Sequence, residues 1–334
     1  MTSLERMRLD LLELSYSHTR SRALSAGVSL GIFQTLGSRW QGAASLAHRI
    51  RTDPRATELL LNALCGLGLL RKQGSRYANQ PFGKRLFSET EPLSLTHIIR
   101  LNRYGYHLWD RLEESIRSGR RLKLPPFRSH RTKEVESFIL AMHNTAVGHA
   151  PLLSRSLPLK GVKRLIDLGG GPGTFSISFC KAHPELRVTL YDLPLTVRVA
   201  KRMIHRSRLS HRIKTRVGDF LRDPLGGPYE AAFVSHIVHA LDERGNAQLM
   251  KKLYRSLSSG GKIWIQDFLL DPSKTTPSFT SLFALSMLVG SDHGGRTYTE
   301  AEMGRWLKKA GFRTVKRLLL RLPRQIGILQ ATKP

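Results

Sequence analysis

The chain has 334 residues, with 54 Lys and Arg against 25 Asp and Glu, and a formal net charge of +29. Its length exceeds one ordinary core and fits two domains of about 100–200 residues each. A composition of 40% hydrophobic and 24% charged residues is globular, and no run approaches the roughly 18 unbroken apolar residues that a membrane helix needs.

The first twenty residues, MTSLERMRLDLLELSYSHTR, combine acidic groups with an amphipathic pattern where a secretory signal needs a continuous apolar stretch. A soluble, cytoplasmic protein is the expectation. From Leu4 to Leu36 apolar residues recur at helical spacing and are interrupted by Gly27 and Gly31, which predicts two helices. SLAHRI (45–50) predicts a short helix. DPRATELLLNALCGLGLL (53–70) predicts another, with Asp53 as N-cap and Pro54 in the first turn. KQGSRYANQ (72–80) then suits a hairpin around Gly74. This order is that of a winged helix, used for DNA binding or for dimerisation. The second helix carries Leu59, Leu60, Leu61, Leu64 and Leu67 rather than base-reading side chains, which favours packing.

Helix is also expected across 94–118 and across 135–153, where Phe138, Met142 and Ala146 share a stripe. The basic stretch RSGRRLKLPPFRSHRTK (117–133) surrounds a Pro-Pro turn and reads as a solvated connection. The excess charge is otherwise even, +13 over residues 1–160 and +16 over 161–334. No dedicated nucleic-acid arm is indicated, although a basic surface for polyanions or an anionic membrane is an open alternative. Cys65 and Cys180 have no metal-ligand or disulfide spacing, so buried thiols are expected, with no metal.

After Leu159 short apolar runs alternate with helical segments: VKRLIDL, RVTLYDL, YEAAFVSHI and KIWIQDFLL. Such alternation predicts a parallel, doubly wound α/β sheet. The expected division is a mainly α, winged-helix-like dimerisation and substrate domain over 1–115, a helical linker over 116–160 that contributes to the pocket, and a Rossmann-like catalytic domain over 161–334.

RLIDLGGGPGTFSISF (164–179) puts a strand ending in Asp167 before Gly169, Gly170, Gly171 and Gly173 and then a helix. Glycines let the chain reverse sharply and bring its backbone close to a ligand. Asp192, 19 residues after Gly173, ends the next strand, where a carboxylate can accept both hydroxyls of a ribose. Nicotinamide and adenosylmethionine binders share this pairing. Asp167 favours the second, because a carboxylate beside the turn would repel a pyrophosphate and suits a cationic amino-acid portion. VGDFL (217–221) adds Asp219 as an acceptor for an adenine amino group, or as a loop cap, and Phe220 as a ring to cover its face. Leu193 and Ser235, at the ends of the second and fourth strands, complete the candidate cofactor set.

LIDLGGGPG, YDLP, GDF, SHIVHALDE, GGKIWIQDF and GGRTYTEAEM occur in an order and spacing that resembles the small-molecule O-methyltransferases, which include caffeic acid and acetylserotonin O-methyltransferases and bacterial relatives. The resemblance covers nearly the whole chain, including ALSAGVSLGIF (23–33) and the 53–70 segment, which look like that family's winged-helix dimerisation domain. It implies a seven-stranded Rossmann-like sheet, S-adenosylmethionine as methyl donor, a homodimer, and a pocket between the domains closed partly by the partner chain. His239 matches the histidine of the plant His-Asp-Trp motif, a general base. Asp267 falls where the first of two flanking carboxylates is expected, one methylene shorter than glutamate, and Thr297 stands in place of the second. His236 reads as a strand residue. Phe138, Met142, Phe283 and Met287 lie in segments that line the acceptor pocket of related enzymes, as do Trp109 and Tyr298, and His143 and Asn144 are candidates to hydrogen-bond the substrate. The implied reaction is methylation of a hydroxyl on a small apolar, aromatic or polyketide-like acceptor. C- or N-methylation on the same scaffold, a nucleic-acid methyltransferase, and an adenosylmethionine-sensing winged-helix regulator are the alternatives. The Asn/Asp-Pro-Pro-aromatic run of base methylators is missing after the fourth strand, where Ser235-His236-Ile237-Val238 stands.

Overall fold

The computed structural model describes residues 2–121, 132–291, 293–320, 322 and 326–334. Most of the basic stretch at 117–133 therefore lies outside the described residues. The chain divides into two compact units, Met1–Tyr106 and His107–Pro334.

The first unit runs α1 (Ser3–Ser29), α2 (Ile32–Leu36), β1 (Gln41–Gly42), α3 (Ala43–Ile50), α4 (Pro54–Gly66), β2 (Leu70–Gln73), β3 (Arg76–Asn79), α5 (Gly83–Phe87) and α6 (Thr96–Trp109), the last ending in the second unit. Two N-terminal helices form as expected, but α1 continues through Gly27 and the break is at Gly31, whose φ is +72°. Gly27 serves close packing instead, since a Cβ there would lie 3.0 Å from Leu64 and 3.1 Å from Phe33. The Asp53 carboxylate accepts from the Ala56 amide at 2.7 Å, and Pro54 occupies the first turn of α4. β2 and β3 form the hairpin around Gly74, and β1 adds to β3. Leu61 and Leu64 are fully buried with Val28, Ile32, Leu36, Leu46 and Tyr77. Leu61 and Leu64 thus take the packing role expected of α4, whereas Leu59 is exposed.

The second unit runs α7 (Leu112–Ser118), α8 (Thr132–Ala146), α9 (Ala150–Ser156), β4 (Arg164–Leu168), α10 (Thr174–Ala182), β5 (Arg187–Asp192), α11 (Pro194–Arg206), β6 (Ile213–Val217), β7 (Tyr229–Ser235), α12 (Glu243–Ser256), β8 (Leu257–Leu270), α13 (Ser278–Gly290), β9 (Tyr298–Thr299), α14 (Glu300–Ala310), β10 (Arg313–Leu318) and β11 (Ile326–Thr332). The main sheet has the order β10-β11-β8-β7-β4-β5-β6, with short β9 beside β8. β6 to β8 are parallel, while β11 and β10 are antiparallel additions. Alternate residues feed two separate cores: Ile166, Val234 and Ile265 one face, Leu165, Phe233 and Trp264 the other. The chain passes from β4 outward to β5 and β6, then returns to β7 on the other side of β4. A ligand crevice opens outside the strand C-termini where the order reverses in this way.

The segment after α13 locks the turn that follows β7. A Cβ on Gly295 would stand 2.1 Å from the His239 carbonyl oxygen and 2.5 Å from the Ala240 carbonyl carbon, and both are backbone atoms. Gly295→Ala is expected to lower stability by about 1–3 kcal/mol through overpacking. Urea denaturation checks it, and an unchanged midpoint would show that the backbone there yields freely.

Candidate functional site

The glycine turn follows β4 directly. Gly169, Gly171 and Gly173 have φ of +63°, +56° and +81°, values that side chains other than glycine rarely adopt. The Gly169 amide donates to the Tyr191 carbonyl at 2.8 Å, tying the turn to β5. At Gly169 a Cβ would stand 2.3 Å from the Ile237 side chain, whereas at Gly171 it would meet nothing within 4 Å. The turn thus packs against protein on one side and faces open space on the other.

Asp192 ends β5 and reaches back to this turn. Its carboxylate accepts from the Gly171 amide at 2.8 Å and from the Leu193 amide at 2.7 Å. Burial raises its proton affinity, and those two backbone hydrogen bonds oppose the rise. Asp167 is fully buried: one carboxyl oxygen accepts from the Ser176 hydroxyl at 2.5 Å, and the other has no hydrogen-bond partner. Burial pushes its carboxyl up to about 7; the Ser176 hydrogen bond opposes this and the Asp192 charge adds to it. Leu193 is 52% exposed, and Ser235 is half-buried at the end of β7.

After β6, Gly218 has no room for a side chain, since a Cβ would lie 2.1 Å from the Tyr191 hydroxyl. Asp219 accepts from the Leu221 amide at 2.9 Å and pairs with Arg222 at 3.5 Å, so it caps its own loop. Phe220 is partly buried against the core beside it. An orphaned buried carboxyl oxygen at Asp167, a second carboxylate at Asp192 and a glycine backbone open to space fit a nucleoside that carries a cationic amino acid.

A second cluster follows β7 and β8. His239 lies in a 3-10 turn, Val238–Ala240, with its side chain 12% exposed. Its Nδ1 is 2.7 Å from Asp267 Oδ1, and its backbone amide donates to Oδ2 at 3.1 Å. Parallel pairing of β7 with β8 sets Ser235 opposite Gln266, so Asp267 sits just beyond the register of the β7 end. The aspartate is therefore long enough. Asp267 has no exposed surface; burial alone would raise its proton affinity, yet His239, and His236 more distantly, hold it well below the usual carboxylate range. A carboxylate on Nδ1–H fixes the tautomer and leaves Nε2 as the proton acceptor. His236, Asp267 and His239 are of metal-ligating type, with ligand atoms within 4.8 Å of one another. The 2.7 Å contact is nevertheless a hydrogen-bond length.

Aromatic rings wall this cluster. Phe283 meets the His239 ring edge-on at 5.0 Å, Phe268 lies 4.7 Å from Phe283, and Phe279 lies 5.2 Å from Phe268. Met287, also on α13, is partly buried. Thr297 is buried and donates to the Thr280 carbonyl at 3.2 Å, so its hydroxyl is committed to α13. Tyr298 belongs to the core, with its hydroxyl donating to the Leu241 carbonyl at 2.6 Å.

On α8, Phe138 is 49% exposed and Met142 is partly buried. His143 Nδ1 contacts the Thr174 hydroxyl at 2.8 Å, which places it beside the glycine turn rather than beside the aromatic wall. Asn144 is buried with its side-chain oxygen unpartnered. His236, read as a strand residue, lies instead just past β7 with φ +56° and beside Asp267. The sequence signal that it shares is its spacing of three from His239.

A family model described as the O-methyltransferase domain matches residues 122–313, and one for the O-methyltransferase dimerisation domain matches residues 12–89. The chain is 31% identical to 3-hydroxy-5-methyl-1-naphthoate 3-O-methyltransferase of Streptomyces sahachiroi, over 97% of this chain and 94% of that protein. It is also 31% identical to the tetracenomycin polyketide synthesis 8-O-methyl transferase TcmO of Streptomyces glaucescens, over 96% of this chain and 95% of that one. Among solved structures, human N-acetylserotonin methyltransferase in complex with SAM superposes with a TM-score of 0.89 at 23% identity, covering 100% of this chain and 98% of that one. With this fold, this glycine turn and these matches, the chain belongs to the S-adenosylmethionine-dependent O-methyltransferases.

Proposed function

We propose that this enzyme methylates a hydroxyl group on a small aromatic or polyketide-like acceptor, with His239 as general base. The observation that carries this reading is the 2.7 Å contact between His239 Nδ1 and a fully buried Asp267 carboxylate, beside a wall of phenylalanine rings. The relatives named for a naphthoate hydroxyl and for tetracenomycin polyketide synthesis support the acceptor class.

S-adenosylmethionine, when bound, supplies a methyl group already activated on a sulfonium. The protein's work is then placement and proton removal. Asp192, held by the Gly171 and Leu193 amides, retains lone pairs for the ribose hydroxyls. Gly169, Gly171 and Gly173 shape the backbone around the amino-acid portion, and Asp167 becomes its negative partner once the bound cationic group displaces the carboxyl proton. Asp219, Phe220 and Ser235 border the adenine side. Phe283, Phe268 and Met287 give the acceptor a dry, flat surface, Phe138 and Met142 extend the binding face from α8, and His143 stands on the glycine-turn side, held by Thr174. His239 Nε2 takes the hydroxyl proton while Asp267 stabilises the resulting imidazolium. Residues 1–115 serve dimerisation and substrate binding, 116–160 connect, and 161–334 carry out the chemistry. The working form is a homodimer built on the first unit, so sedimentation is expected to give twice the chain mass.

Asp192→Ala is expected to weaken S-adenosylmethionine binding roughly tenfold to a hundredfold, the loss of one charge-assisted hydrogen-bonding group. Titration calorimetry reads this, and unchanged affinity would remove Asp192 from the donor site. His239→Ala is expected to lower turnover by about 100-fold or more at unchanged donor affinity. A screen of phenolic acceptors provides the assay; equal turnover in both proteins would end the general-base reading.

The raised proton affinity of Asp167 gives a pH signature that needs no ligand. In the folded chain the carboxyl titrates at about 7, against an ordinary value of 3.8. Between those pH values the folded state holds a proton that the unfolded state has released, so its contribution to stability is fully present below about 4 and is lost as pH rises through about 7. Asp167→Asn cannot titrate. Denaturation at several pH values is expected to show wild type losing at least about 1 kcal/mol more than the variant across this window. Parallel pH profiles would mean that Asp167 is ionised throughout.

A further inference from the structure

His236 is not part of the base as described, yet it is placed with unusual care. It follows β7 in the left-handed region, φ +56°, which residues other than glycine rarely enter. Its amide donates to the Gln266 carbonyl at 2.9 Å, extending the β7–β8 ladder by one bond, and its ring lies 4.6 Å from that of Phe268. The bend brings the two ring nitrogens to different neighbours. Nε2 is 3.2 Å from the Gln266 side-chain nitrogen, and the same amide group is 3.4 Å from His149 Nε2. An amide NH2 only donates, so both imidazoles accept there. The proton of a neutral His236 therefore resides on Nδ1. Nδ1 has no hydrogen-bond partner, and it lies 3.7 Å from Asp267 Oδ1, the oxygen that also faces His239 Nδ1.

We propose that His236 is a positioning residue of the methyl-transfer site: its Nδ1–H shares the Asp267 carboxylate with His239 and so sets how strongly that carboxylate holds a proton on the base. The proposal rests on the reading of His239 as that base. The groups facing His236 are Asp267 and Gln266 from β8, His239 from the following turn, and His149 at the start of α9. Gln266 donates to Nε2, a hydrogen bond possible only while that nitrogen is unprotonated, and so it favours the neutral ring. His149, whose proton affinity burial and the nearby His236 lower to about 4, is neutral as well and adds no charge. The His236 and His239 rings stand 5.9 Å apart, where two imidazolium charges on one carboxylate would repel. His236 thus draws on part of the Asp267 charge that would otherwise fall on His239 alone.

The test is histidine NMR on the full ligand-free chain labelled with 13C and 15N at histidine, with the His239 and His236 signals assigned from single variants. In wild type, the 15N shifts of His236 are expected to report Nδ1–H with Nε2 unprotonated; the opposite tautomer would overturn the proposal without any variant. In His236→Leu the His239 signal is expected to titrate about half a pH unit higher or more, because the carboxylate is no longer shared. In His236→Asn it is expected to stay near wild type, since Asn tolerates φ above zero and offers an N–H toward Asp267. Identical His239 titration in wild type and His236→Leu, with both proteins folded by circular dichroism, would overturn the coupling and leave the base reading intact. A His239→Ala protein with full turnover would overturn the base reading instead, while the NMR coupling could still be present.

Discussion

A carboxylate with no exposed surface at the end of a central strand cannot remain ionised without partners, because removing a charge from water costs several kcal/mol that only close hydrogen bonds and opposite charge offset. Asp267 meets that constraint with four nearby donors: the ring and backbone of His239, the Phe268 amide and, at longer range, His236. The consequences run outward. Because His239 is gripped by both ring and backbone, its short turn has one geometry, and because Gly295 leaves no room above that turn, the geometry is backed by the following segment. His239 is held rigidly because its carboxylate partner is buried.

The second constraint is topological. The sheet order places β4 between β5 and β7, so that chain ends leaving in opposite directions open a crevice at the glycine turn. Every polar group assigned to the donor or to the proton transfer sits at or just past a strand C-terminus: Asp167 on β4, Asp192 on β5, Asp219 after β6, His236 and His239 after β7, and Asp267 near the end of β8. The sheet holds these groups together although they are up to 100 residues apart in sequence. Close packing then selects the residue types between them. Gly218 is required by the Tyr191 hydroxyl and Gly169 by the Ile237 side chain.

Much of this was legible in the sequence because it depends on local pattern. The Asp53-Pro54 start of α4, the Gly74 hairpin, the strand–helix alternation and the Asp167 to Asp192 spacing each reflect a short-range rule, and each reappears in the structure. What escaped depends on distant partners. Gly27 looked like a helix break, but Leu64, far along the chain, turns it into a close-packing position within α1. His143 is expected among the acceptor-binding residues, yet Thr174 draws it toward the glycine turn. Whether Asp219 caps a loop or meets a ligand depends on the Leu221 amide and Arg222, which no spacing rule weighs. His236 is the sharpest case, since an apolar strand pattern continues through Ser235 and nothing in it signals a left-handed residue at the next position.

The charge balance of the site bears on what it can accept. The family resemblance implies two carboxylates beside this histidine, whereas here the second position is Thr297, whose hydroxyl is committed to the Thr280 carbonyl. With one carboxylate, His239 and Asp267 are net negative before proton transfer and neutral after it, and His236 holds part of that single charge. Each difference leaves less negative charge facing His239 than a site with two unshared carboxylates would. A weaker base suffices when the acceptor hydroxyl is itself acidic, as in a phenol or an enolised ketone, and when the methyl donor is already activated. It would be poorly matched to an aliphatic alcohol. The phenylalanine wall of Phe268, Phe279 and Phe283 points the same way, because flat rings favour a flat partner over a branched aliphatic one. In the proposed reading, the single carboxylate and the ring-lined wall both favour a hydroxyl carried on an aromatic or conjugated system.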